Sequence, residues 1–195
     1  MDWRIYHAVN RFVAHHHWLA HAFNGIENVG VVLIAVVTFA LWLLARPGAS
    51  RRWKLASSSA LASAALALLV NHVIGAIWHR PRPYESHHVY TLSHSHDPSF
   101  PSDHASAAFA IAFAVLLFDW LVGALFLVAA VVIGIGRVVI GAHYPADVLA
   151  GVAVGLASAL VVTRLARRVI AFLVRLVERV TDPLLAPLWR RAGRV

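Results

Sequence analysis

Five stretches of mostly apolar residues limit what this chain can fold into. They run roughly over 27–45, 55–78, 105–118, 121–141 and 146–164, and each comes close to the about 20 residues a helix needs to cross a hydrocarbon core. The third is short, and lengthens only if Asp119 and Trp120 sit at an interface. Inside a bilayer each segment must satisfy its own backbone polar groups, so such stretches read as helices. Composition agrees: with 60% hydrophobic and 13% charged residues, a chain of 195 residues has too little polar surface to cover a water-soluble globule. Small residues recur in the spans, as in Gly151-x-x-x-Gly155 and the Ala/Ser run from Ala56 to Ala67, and let helices approach closely in lipid.

Residues 2–24 and 167–191 differ, because apolar positions alternate there with Arg and His in a pattern suited to helices lying in the membrane interface. The expected fold class is therefore all-α: a polytopic membrane helix bundle with five spanning helices plus interfacial N- and C-terminal helices. It forms one domain over 1–195, with 1–25 and 167–195 as its interfacial segments. The N-terminal region lacks the apolar stretch and small-residue cleavage site of a signal peptide. There is no cysteine, so no thiol chemistry or disulfide is available.

The net charge of +8 suits an anionic lipid surface or an anionic substrate, and the membrane context sets nucleic acid aside. Placing the 46–54 loop and the tail from Arg164 onward in the cytoplasm puts 12 of the 17 Lys+Arg there and leaves Arg4, Arg11, Arg80, Arg82 and Arg137 outside. The long 79–104 connection and the 137–147 turn then share the extracytoplasmic face of a cell membrane. A sixth crossing at 2–24 would break this arrangement.

Three polar clusters fall on that face: Arg80-Pro-Arg82-Pro83, Pro101-Ser102-Asp103-His104, and Arg137 with His143 and Asp147. Ionisable residues at the ends of membrane helices raise a functional hypothesis by default. Ser102 stands where an N-cap belongs, so the free N–H groups and dipole of the helix that follows face outward and favour a phosphate, with His104 beside it. His143 and Asp147 are four residues apart around Pro145, which suits the first turn of a helix. A carboxylate on one ring nitrogen would fix the tautomer and leave the other nitrogen free to attack phosphorus. Arg82 and Arg137 would supply planar forks for phosphoryl oxygens.

These clusters, in this order over residues 75–147, resemble the three signature motifs of the type 2 phosphatidic acid phosphatase family: K-x6-R-P, P-S-G-H and S-R-x5-H-x3-D. The resemblance implies His143 as nucleophile, Asp147 as its partner and His104 as the acid that protonates the leaving group. It makes Arg82, Ser102 and Arg137 phosphate holders, with Asp103 in the same helix mouth. Three positions depart from the pattern: Gly75 replaces the lysine, Asp103 the glycine and Gly136 the serine. Arg80 is the candidate substitute for the missing lysine contact. The Arg-Pro-Arg-Pro and Pro-Ser-Asp-His variants are most similar to the bacterial undecaprenyl-diphosphatase branch.

That resemblance implies a polyprenyl diphosphate, hydrolysed to the monophosphate through a phosphohistidine, as substrate. The alternatives are a broader lipid phosphatase (phosphatidate, phosphatidylglycerophosphate or a prenyl phosphate), a phosphotransferase, and a lipid-binding or transport protein without turnover. No cofactor is expected. The histidines at 15–17, 21, 87, 88, 94 and 96 have no acidic or thiolate ligands at metal-site spacing, so no metal is expected either. They read as interfacial residues or head-group contacts.

Overall fold

The apolar segments fold as helices throughout. A computed structural model describes residues 2–45 and 51–191 as α1 (Asp2–Ala14), α2 (His17–Leu44), α3 (Arg52–Ile77), α4 (Pro83–Ser86), α5 (Asp103–Leu116), α6 (Trp120–Val139), α7 (Pro145–Leu160) and α8 (Arg167–Arg191). A π-helical turn, Val161–Leu165, extends α7. Arg46 and Arg194, both part of the expected charge bias, lie outside the described residues, as do the side chains of Trp189, Arg190 and Arg191.

Among the described residues four helices, α2, α3, α6 and α7 with its π turn, are long and apolar enough to cross a membrane. The fifth expected span, α5, has 14 residues, about 21 Å against a core of roughly 30 Å. Its position accounts for this. It packs against α3, α6 and α7, and its residues from Ala105 to Ala112, with Ala114 and Val115, are buried. A helix sheathed in other helices has no need to match the bilayer. The small residues noted in the sequence permit that sheath: a Cβ on Gly155 would lie 2.8 Å from the Ala110 nitrogen, and one on Gly151 2.8 Å from the Ala105 Cβ.

The N-terminal expectation needs correction. The interfacial segment foreseen over 2–24 is split: α1 stops at Ala14, and the chain turns at His15 and His16. The first span begins at His17 rather than near residue 27. Nor does α1 simply lie on lipid, because Tyr6 and Val13 are fully buried. The Tyr6 hydroxyl donates to the Gly141 carbonyl, and Asn10 bonds both ways to the Tyr90 backbone. At the other end α8 docks Ile170 and Val174 against Leu55, Ala62 and Leu66 of α3. There Lys54, 2% exposed, bridges Glu178 and Asp182 at 3.2 and 2.7 Å. The 26 residues of α3 hold this basic end about 39 Å from the end bearing the polar clusters.

Candidate active site

Gly141 opens the site. The turn after α6 requires its positive φ of 83°, and a Cβ there would lie 2.5 Å from the Tyr90 carbonyl oxygen, so glycine is the residue that fits. The turn delivers His143, 2% exposed, into the bundle, and Pro145 then starts α7.

The His143 ring is held by two groups. Its Nδ1 lies 2.7 Å from the Ser99 carbonyl oxygen. A carbonyl only accepts, so the hydrogen is on Nδ1 and Nε2 keeps its lone pair. The Asp147 carboxylate, expected to bond the ring directly, stands at 3.7 Å from Nδ1. Its stronger contacts lie elsewhere: Oδ2 accepts from the Ser99 hydroxyl at 2.6 Å and the Tyr144 N–H at 2.9 Å, and Oδ1 accepts from Arg80 at 2.5 Å. Ser99 thus joins carboxylate to imidazole through its own backbone and side chain. Nothing in the spacing of the motifs pointed to it.

The Nε2 face of the ring meets Arg82, whose Nη1 is 3.5 Å away. Arg82 is 5% exposed, and its Nε donates to the Asp97 carbonyl, which aims the fork. Burial, with Arg137 and Arg82 adding to it and Asp147 opposing, pushes the His143 pKa from 6.5 down to about 4. The ring is therefore neutral at neutral pH, the state in which an imidazole nitrogen has a lone pair to offer.

Ser102 is the residue before α5, but its hydroxyl caps nothing. The backbone N–H of Ser102 donates to the Asp147 carbonyl at 3.1 Å, which ties the α5 mouth to α7. The Ser102 hydroxyl is buried without a partner, as is the Nε of Arg137. Buried orphan polar atoms are rare in folded proteins, and these two are donors of the kind that hold an oxyanion. The Nη1 of Arg137 meets the Glu27 carboxylate of α2, and the same oxygen is 3.7 Å from Nε2 of His104.

Two expected phosphate contacts are arranged differently. Both terminal nitrogens of Arg80 are engaged by carboxylates, Asp147 at 2.5 Å and Asp2 at 2.6 Å, and its guanidinium lies over the Tyr144 ring. Its charge is thus directed at Asp147 and Asp2. Asp103 is exposed and accepts from Asn71 at 2.7 Å. It lines a cavity of about 460 Å³ with His72, His79 and Gly75, where a Cβ on Gly75 would press against Pro98 at 3.2 Å. Several of the remaining histidines pack on aromatic rings, His87 on Trp3 and His16 on Phe12 among them.

Comparison with known proteins matches the chain to one family. Residues 56–171 match the model of the PAP2 superfamily. The chain is 30% identical over 157 residues to the undecaprenyl-diphosphatase BcrC of Bacillus subtilis, covering 80% of this chain and 79% of that protein. It is 38% identical over 128 residues to the putative undecaprenyl-diphosphatase YbjG of Escherichia coli, covering 65% of this chain and 61% of that one. The crystal structure of Aquifex aeolicus LpxE superposes with a TM-score of 0.69 at 22% identity, over 82% of this chain and 92% of that one. This last likeness speaks for the fold alone. With a family match over more than half its length, the chain belongs to the PAP2 superfamily, as a multi-pass membrane lipid phosphatase of the undecaprenyl-diphosphatase-like branch.

Proposed function

We propose that this phosphatase hydrolyses undecaprenyl diphosphate to the monophosphate on the extracytoplasmic face of the cell membrane, with His143 as nucleophile. The observation that carries the proposal is the His143 ring: Nδ1 is held at 2.7 Å by the Ser99 carbonyl while Nε2 faces the Arg82 guanidinium. In the first step the Nε2 lone pair attacks the terminal phosphorus. The bond from phosphorus to the bridging oxygen breaks, and undecaprenyl monophosphate leaves with that electron pair. Arg82, Arg137, the Ser102 hydroxyl and the α5 mouth hold the phosphoryl oxygens, where charge accumulates in the transition state. Asp147 steadies the positive charge that develops on the ring.

In the second step water attacks the phosphohistidine, its proton passes to His104 or solvent, and inorganic phosphate departs with Nε2 restored. A phosphate leaving group needs little protonation, so His104 matters less for a diphosphate than for a monophosphate ester, whose leaving group is an alkoxide. The substrate reading leans on the similarity to BcrC and YbjG, and the orientation on the positive charge gathered at the α8 end. The test is phosphate release by purified protein from undecaprenyl diphosphate, undecaprenyl monophosphate, phosphatidate and phosphatidylglycerophosphate, with His143→Ala alongside. The highest kcat/KM is expected on the diphosphate. Preference for phosphatidate, or full activity in His143→Ala, refutes the scheme.

A further inference from the structure

The catalytic scheme gives Glu27 no task, yet it stands among the groups that the scheme assigns to phosphate. It is the only Asp, Glu, Lys or Arg between Arg11 and Arg46, it lies inside α2, and it is 8% exposed. A carboxylate in an apolar helix is costly unless a cation holds it. One oxygen, Oε1, meets Nη1 of Arg137 and lies 3.7 Å from Nε2 of His104. The other, Oε2, is buried with no partner, like the Nε of Arg137 and the hydroxyl of Ser102. A carboxylate oxygen thus stands between a guanidinium and an imidazole, where a phosphoryl oxygen would be expected. The unpartnered Nε shows that it satisfies Arg137 only in part.

We propose that Glu27 is an internal counter-anion of the phosphate seat: it holds Arg137 while the seat is empty and cedes it when a phosphoryl group enters. This rests on the phosphatase reading of Arg137. The consequence is unequal for substrate and product. Both must displace the carboxylate, but a lipid diphosphate is also retained by its chain in the bilayer, whereas inorganic phosphate has no second anchor. Competition from Glu27 therefore expels the product while the substrate stays bound, and the buried guanidinium does not become a phosphate trap.

The test compares the wild type with Glu27→Gln, which keeps the side chain's size and removes its charge. Two readouts are taken: inhibition of lipid diphosphate hydrolysis by inorganic phosphate, and direct binding of inorganic phosphate followed by thermal shift. Removing a charge that competes for a buried arginine is expected to tighten phosphate by at least about tenfold in both, with KM falling and kcat limited by product release. A merely structural role predicts the opposite, since a misaligned Arg137 weakens phosphate and raises KM. If Glu27→Gln does not fold, Glu27→Asp, which withdraws the charge by one methylene, is read in the same way with a smaller gain. Unchanged or weakened phosphate binding overturns the proposal. Failure of the phosphatase reading shows separately, as a wild type that releases no phosphate from any lipid, while the binding measurement still decides the role of Glu27.

Discussion

Replacing Arg80 by glutamine separates two roles that its place in the motif allows. In the structure Arg80 gives Asp147 one of three hydrogen bonds, at 2.5 Å, and the Ser99 hydroxyl and Tyr144 N–H supply the other two at 2.6 and 2.9 Å. Asp147 is fully buried and Arg80 is 24% exposed. Losing one charge-assisted bond to a buried carboxylate costs about 1.5–3 kcal/mol, and the partial exposure of Arg80 favours the lower end. If all of that reaches the transition state, kcat/KM falls roughly 10- to 30-fold. Inhibition by inorganic phosphate should change less than about threefold, because the guanidinium supports the dyad and does not touch the anion. Asp2→Asn should produce a smaller version of the same defect, because Asp2 anchors the other terminal nitrogen of Arg80. The assay is steady-state hydrolysis of a lipid diphosphate with added phosphate. A tenfold weaker phosphate inhibition in Arg80→Gln, with melting temperature unchanged, would show that Arg80 holds phosphate and refute this assignment.

Other outcomes follow from the same geometry. Ser102→Ala deletes a buried hydroxyl that has no partner, so melting temperature should hold or rise while kcat/KM falls by about tenfold, a combination seen in thermal unfolding and kinetics on one preparation. The acid limb of kcat/KM should lie near pH 4 rather than 6.5, since His143 is held neutral by burial down to about 4. The same depressed value has a sign in stability: the unfolded chain takes up the proton first, so stability is complete above pH 6.5 and is lost as pH falls toward 4. His143→Gln should flatten that slope in pH-dependent unfolding. Lys54→Met removes the cation that bridges Glu178 and Asp182 and should lower stability by about 3 kcal/mol. The Lys54 site lies at the far end of α3, so KM should be unchanged.

The apolar spans and the three clusters were legible because hydropathy and motif spacing are local properties. They located His143, Arg82 and Asp147, and the first two lie 3.5 Å apart although 61 residues separate them. The surroundings of Arg80 were hidden for a long-range reason: its partner Asp2 is 78 residues away, and no motif spacing reports that a second carboxylate competes for it. Ser99 was missed because its carbonyl, common to every residue, does the orienting. Glu27 did leave a signal, a lone carboxylate in an apolar stretch. Starting the first span near residue 27 put it at the rim, and only the start of α2 at His17 moved it inside. The shortness of α5 was legible in the stretch 105–118, but the sheath that permits it was not, because a helix's need to reach both membrane faces depends on what surrounds it.

That surrounding has a consequence for how the protein tolerates its host membrane. Helices in contact with lipid tilt or stretch when the hydrocarbon layer thickens or thins. The α5 backbone, wrapped by α3, α6 and α7, feels such changes only through those neighbours. Ser102 and His104 ride on a beam slung within the frame, so catalysis should vary little across vesicles whose acyl chains differ in length.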